Sequence, residues 1–315
     1  MGHGRWNAAD WRDYTAHHTQ GRSAAEIFGA RGMKPDFDPA RIALRESRDG
    51  MQNPLSTAII LASDVTGSMG RIAEVMIRSG LDTTMREIYA RKPVSDPHVL
   101  AMAIGDAECD RAPLQATQFE GDIRLAEQMQ DLWIEGGGGG NSGESYHLPW
   151  YFAATRTAID CFEERGKKGY LFTIGDEPIL PGISRANIAR VFGDAVEVDF
   201  SSAELLRLAQ RRYEVFHIVL TDVGYAASQR GRVMESWLPL LGERVLACDD
   251  HRRIAEVIVS AIAVAEGADP AAVAGSWAGD AAGTVAAALG LGARQGDGAR
   301  QGLAGRIRSA LGGYR

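Results

Sequence analysis

Cysteine is scarce in this chain of 315 residues. Cys109, Cys161 and Cys248 are widely spaced, odd in number and without any C-x-x-C pairing, which excludes a disulfide framework and a cysteine zinc site. Basic charge is also in deficit: the formal net charge is −7, so the basic face of a dedicated nucleic-acid binder is not expected. Long hydrophobic runs are missing. The longest apolar stretch, Ile254–Ala265, is interrupted by Glu256 and is too short to span a bilayer. The opening MGHGRWNAADWRD lacks the apolar centre of a secretory signal. A G-x-x-x-x-G-K-[ST] phosphate loop is absent, so ATP hydrolysis is not expected of the chain itself. With these classes set aside, 45% hydrophobic and 24% charged residues predict a soluble globular protein, and the cytoplasm is its expected location.

Short apolar runs, by contrast, are abundant. Segments 56–63, 98–104, 170–174, 215–220 and 244–247 are each long enough for one buried strand and too short for a helix. Between them lie stretches with helical spacing, as in Met69, Ile72, Met76, Ile77, Leu81, Met85 and Ile88. Further helices are predicted at 123–133, at 145–162 with Pro149 in the first turns, from the capping box Ser201–Glu204 to about residue 211, and at 251–266. Strands alternating with helices predict parallel βαβ units, hence an α/β fold with a doubly wound, mostly parallel sheet. Residues 1–54 read as a polar, mainly irregular arm packed on the domain through Trp6, Trp11 and Tyr14, with a short helix near 23–30 and a solvated turn at 45–50. The domain proper is expected at 55–266. Beyond Gly267 the composition changes to Ala and Gly, so 267–315 is expected to be a tail that is flexible or ordered by a partner. Weak helices within it are predicted near 281–289 and 303–311.

The first strand ends in Asp64, and Thr66 and Ser68 follow at alternate positions with Gly67 and Gly70 among them. A carboxylate and two hydroxyls between a buried strand and a helix place hard oxygens at the C-terminal edge of the sheet, where open α/β sheets bind ligands. Such oxygens suit Mg²⁺ or Mn²⁺. At these residues the chain resembles the von Willebrand factor A (vWA) family, whose metal-ion-dependent adhesion site begins D-x-S-x-S. Asp64-Val65-Thr66-Gly67-Ser68 keeps a hydroxyl in the middle place, and D-x-T-G-S-M wording is similar to that of intracellular branches of the family.

The resemblance implies a Rossmann-like fold and two more loops at the site. One is Asp176, after strand 170–174. The other is the Gly-rich run Gly138-Gly139-Gly140-Asn141-Ser142-Gly143-Glu144, where Asn141 takes the family's Thr or Asp place and Ser142 or Glu144 is a substitute. The implied ligands are Asp64, Thr66, Ser68, Asn141 and Asp176 around Mg²⁺ (or Mn²⁺), with one position left for an Asp or Glu of a protein partner. Intracellular relatives serve AAA+ ATPases or stress and defence assemblies, so a partner of that kind is implied, with no nucleic acid, membrane or catalysis. Set against this, glycines 136–140 also suit a flexible loop whose Asn and Ser cap the next helix. Asp106 and Asp222 read as turn residues, Asp106 with a possible supporting place beside the site, His147 and His217 as packed residues, and His251 as a helix-start residue. Two other functions compete. One is a Mg²⁺-dependent phosphohydrolase of the haloacid dehalogenase type, with Asp64 as nucleophile and Asp176 as metal ligand, although Thr66 stands where that chemistry needs an acid. The other is an assembly protein with a vestigial site.

Overall fold

The computed structural model describes residues 4–137 and 143–291, and at Ser68 and Gly70 the backbone alone. Its strands are β1 (Arg45–Ser47), β2 (Thr57–Asp64), β3 (Pro97–Ile104), β4 (Leu114–Ala116), β5 (Thr157–Ile159), β6 (Gly169–Gly175), β7 (Gly182–Ile183), β8 (Phe200–Ser201), β9 (Tyr213–Leu220) and β10 (Val245–Cys248). Six form the central sheet in the order β10-β9-β6-β2-β3-β4, parallel throughout except for the antiparallel edge strand β4. Helices cover both faces, so the fold is α/β with a mostly parallel, doubly wound, Rossmann-like sheet. The strand order reverses between β2 and β6.

Successive side chains of a strand point to opposite faces, and β2 feeds two cores. Ile59 and Leu61 pack with the helical stretch 70–91 and with Ile254–Ala265, whereas Ala58, Ile60 and Ala62 pack with Leu148–Thr155, Ser202–Ala209 and Ala226–Leu241. A strand buried on both faces needs apolar residues at nearly every position. That is why the central strands stand out as continuous runs.

Three expectations fail. The helix over 145–162 is broken: Leu148–Thr155 is helical, β5 follows, and Asp160–Glu163 is a separate turn of helix. The β-branched Thr157 and Ile159 favour an extended chain, and β5 pairs in parallel with β1, Arg45 opposite Thr157 and Ser47 opposite Ile159. Residues 45–50 are therefore not a solvated turn. Strand alternation turns Arg45 inward, where its guanidinium donates to the Ala116 carbonyl at 3.1 Å, and leaves Arg48 to pair with Asp160 at 2.6 Å and Glu163 at 2.7 Å.

The third failure is the boundary at 266. Helices Pro270–Gly275 and Asp280–Ala288 continue the domain, with Ala274, Val285, Ala288 and Leu289 in the same core as Ile254–Ala265. Too few large residues for a core of their own do not prevent these helices from joining an existing one. Segment 303–311 lies outside the described residues. In the arm, Trp11 and Tyr14 on the helix Ala8–Tyr14, and Ile27 behind the capping box of Ser23 and Glu26, are buried in that core as well. No helix among the described residues is long and apolar enough to cross a membrane.

Candidate metal centre

β2 ends at Asp64, and β6 ends at Gly175 with Asp176 directly after it. Ser63 pairs with Ile174, so the two acidic turns emerge side by side. They flank the crevice where the strand order reverses, the place at which open α/β sheets accept ligands.

Asp64 is fully buried. Its Oδ1 accepts from the Thr66 backbone N–H and the Thr66 hydroxyl, both at 2.7 Å, an Asx-type turn that the left-handed Gly67 (φ 46°) completes. Its Oδ2 accepts from the Tyr146 phenol at 2.9 Å. The Thr66 hydroxyl also lies 3.2 Å from Glu144 Oε1. Glu144 is 1% exposed, and its Oε2 has no hydrogen-bond partner among the described residues. Backbone bonds hold Glu144 in place, from its N–H to the Pro178 carbonyl (2.9 Å) and from the Leu180 N–H to its own carbonyl (3.2 Å). The loop after β6 thus carries Glu144 against the turn after β2. Asp176 is 3% exposed, and its Oδ2 accepts the Tyr225 N–H.

Tyr146 joins these parts. While donating to Asp64, its phenol oxygen accepts the Glu177 N–H at 3.3 Å. A Cβ at position 175 would stand 1.9 Å from that oxygen, so glycine there is a condition for the ring's position. Behind the ring, His217 stacks on Trp237 at 3.5 Å between centroids. Burial pushes the His217 pKa far below its usual value, so the floor of the site is uncharged.

Among the described residues the acids are held out of water without cationic partners. Burial pushes the Asp64 pKa up, with the Asp176 charge adding to it and the Thr66 and Tyr146 donors opposing. Burial raises Glu144 too, reinforced by the charges of Asp64, Glu177 and Asp106, and it raises Asp176 and Glu177. Among the described residues no Lys or Arg pairs with Asp64, Glu144, Asp176 or Glu177. Buried charges are normally paired or coordinate metals. The hard oxygens of Asp64, Thr66 and Glu144, one of them without a partner among the described residues, are of the kind that suits Mg²⁺ or Mn²⁺, whereas Asp176 is not gathered with Asp64 and Glu144 within ligating distance.

Of the residues singled out in the sequence, Asp64 and Thr66 meet directly and Asp176 stands on the neighbouring turn. Ser68 lies in the tight turn Gly67–Met69, described by backbone only. Asn141 and Ser142 lie outside the described residues. Glu144, one of three alternatives for the loop ligand, is in the pocket. Tyr146 is marked by no motif; its only trace is its place two residues after Glu144. Asp106 caps its own turn, accepting from the Glu108 N–H at 2.5 Å, and Asp222 holds His251 Nδ1 at 2.7 Å further along the same edge. His147 and His217 are fully buried among apolar and aromatic neighbours.

No family model and no curated protein sequence matches the chain. Among solved structures, the pilus adhesin SpaC of Lactobacillus rhamnosus GG in an open conformation is similar over 69% of this chain and 31% of that one, with 9% identity and a TM-score of 0.44. A von Willebrand factor type A structure from Catenulispora acidiphila is similar over 68% of this chain and 44% of that one, with 11% identity and a TM-score of 0.35. This chain therefore spans less than half the length of either. The α/β assignment rests on strand order and register, not on these similarities.

Proposed function

We propose that this chain is a non-enzymatic, metal-dependent protein-interaction module of the vWA kind, working in the cytoplasm. Asp64, Thr66, Ser68 and Asp176 would hold Mg²⁺ or Mn²⁺, with Glu144 or Asn141 completing the set from the Gly-rich loop. The observation that carries this is the convergence of Asp64, Thr66 and Glu144 in a buried cluster with no basic partner among the described residues. A bound cation would supply the positive charge that draws an Asp or Glu side chain from a partner protein. The chain's own groups set the stage: Thr66 and Tyr146 fix the Asp64 carboxylate, and the backbone of 178–180 fixes Glu144. An AAA+ ATPase or a stress or defence assembly as partner follows only from the D-x-T-G-S-M resemblance.

Binding is favoured over hydrolysis by how Asp64 is used. Both its oxygens already accept hydrogen bonds from Thr66 and Tyr146, which suits an anchored ligand better than an attacking nucleophile. The residue two positions on offers a hydroxyl where a phosphohydrolase needs an acid/base carboxyl.

Titration with Mn²⁺ tests the metal, and water-proton relaxation of the Mn²⁺-loaded protein tests the vacancy. One ion per chain is expected, lost in Asp64→Asn and Asp176→Asn, and a Glu-containing peptide should displace ion-bound water. Unchanged binding in both variants would remove the proposed site. Metal-dependent turnover of a generic phosphomonoester that disappears in Asp64→Asn would replace the binding role with an enzymatic one.

A further inference from the structure

Arg71, Arg230 and Arg232 stand at the edge of the sheet that carries the candidate metal centre, and none of them holds an ion pair with a described residue. All three are exposed. Arg71 is the second residue of the helix Gly70–Val75, three positions after Ser68. That helix packs on the face of β2 that carries Ile59 and Leu61. Arg230 and Arg232 belong to the helix Ala226–Leu241, on the opposite face. By contrast, Arg111 and Arg252 on the same edge are taken up by Glu135 (2.9 Å) and Asp250 (2.8 Å).

Two hydrogen bonds tie Ala226–Leu241 and the residue before it to the site. The Tyr225 N–H donates to Asp176, and the Trp237 indole donates to the Glu177 carbonyl at 3.1 Å. Arg230 and Arg232 lie between these anchors. Positions 226, 230, 233 and 237 share one face of a regular helix, and Ala226, Val233 and Trp237 are fully buried. A straight helix would bury Arg230 with them. Instead the backbone leaves the helical region at Gln229 (φ −124°, ψ 29°), and Arg230 stays in solvent. At 1.5 Å per helical residue its Cα lies within about 8 Å of Tyr225 along the axis. That is close enough for its guanidinium to meet a molecule seated beside Asp176.

We propose that the partner segment drawn to this site is multiply acidic. One carboxylate completes the cation, and acids on either side of it meet Arg71 on one flank of the crevice and Arg230 and Arg232 on the other. The inference rests on the metal-dependent reading of the site and adds that these arginines select among acidic ligands. An acidic side chain brought here faces the charges of Asp64, Glu144, Asp176 and Glu177, which a divalent cation offsets only in part. The arginines supply the missing attraction: each presents a planar fork of donors to a carboxylate, and complementary rim charges set specificity and on-rate. An exposed pair of this kind contributes up to about fivefold in affinity, and its contribution fades with salt.

The test uses the full chain loaded with Mn²⁺ and two fluorescein-labelled Gly-Ser peptides. One has a single central Glu; the other adds an Asp three residues to each side, about 10 Å away when extended. By anisotropy in about 20 mM salt, the triply acidic peptide should bind the wild type at least tenfold more tightly than the single-Glu peptide. In Arg71→Gln/Arg230→Gln/Arg232→Gln the preference should fall to threefold or less, the most that three equivalent carboxylates give by statistics, with Mn²⁺ affinity within threefold of the wild type. Lys92→Gln/Arg207→Gln/Arg211→Gln removes as much charge ahead of β3 and β9, at the far edge, and should keep the preference. In the wild type the preference should also shrink at least threefold between about 20 and 300 mM salt. A wild-type preference of threefold or less, one indifferent to salt, or one retained without Arg71, Arg230 and Arg232 would overturn the proposal and leave the Mn²⁺ site standing. A chain that binds no Mn²⁺ would instead remove the metal-dependent reading, and this inference with it.

Discussion

Glu144 and Asp64 share a buried pocket, and each disfavours the charge of the other. Removing one charge should relieve the metal-free protein while disabling the site. Glu144→Gln is therefore expected to unfold at higher denaturant than the wild type without metal at pH 8, yet to bind Mn²⁺ at least tenfold more weakly. Urea melts with and without Mn²⁺ read both effects; weaker metal-free stability in Glu144→Gln would mean that Glu144 is satisfied by a partner and is not strained. The same logic sets a pH dependence. The Asp64 pKa is raised by burial to about 7, above the value of about 4 for an exposed carboxyl, so the native state keeps a proton that the unfolded chain has released. Stability that is full below about pH 4 should be lost as pH rises towards 7. Mn²⁺ affinity should rise across the same range, because ligands must shed protons to bind. A metal-free stability that increases from pH 5 to 7 would contradict the sign. At this scale, Asp64 and Thr66 were legible because strand, turn and helix signals meet at one motif. Tyr146 was not, since its role depends on a contact with a residue 82 positions away.

Between elements, the phenol of Tyr146 ties the end of β2 to the end of β6. Tyr146→Phe keeps the ring and deletes both hydrogen bonds, which for a charged acceptor costs about 1.5–3 kcal/mol. Metal affinity should fall by about 10–100-fold, the usual effect of losing a group that orients a ligand, with native circular dichroism. Metal binding equal to the wild type would show that Asp64 is oriented without it. Gly175→Ala works from the other side. The added carbon collides with a ring enclosed by His217 and Trp237, so a loss of about 1–3 kcal/mol is expected from overpacking, measured as a lower urea midpoint. The central strands were readable because burial on both faces demands unbroken apolar runs. β1 and β5 were not: each is three residues long, one is charged, and the other follows a helix without a glycine or proline to mark the break. Their pairing is a long-range fact, and local composition does not carry it.

For the whole molecule, the question is where the domain stops. Composition points to an end at 266, because the later residues are small and supply too few large side chains for a core of their own. Val285, Leu289 and Ala274 instead cover the helix Ile254–Ala265. Trp277 donates to the Ser260 hydroxyl at 2.8 Å, with the Arg91 guanidinium 3.5 Å from its ring centroid. Burying one Val or Leu side chain contributes about 1.5–3 kcal/mol, and a domain's net stability is only about 5–15 kcal/mol. Deleting 268–315 should therefore remove cooperative unfolding or leave an aggregating chain. Deleting only 292–315 should preserve a single thermal transition. Calorimetry of the two truncated chains separates the cases, and a chain ending at 267 that melts like the full protein would show that the last two described helices are passengers. A chain ending at 291 keeps every described residue of the candidate site and of this closing layer, so its Mn²⁺ binding should match that of the full protein.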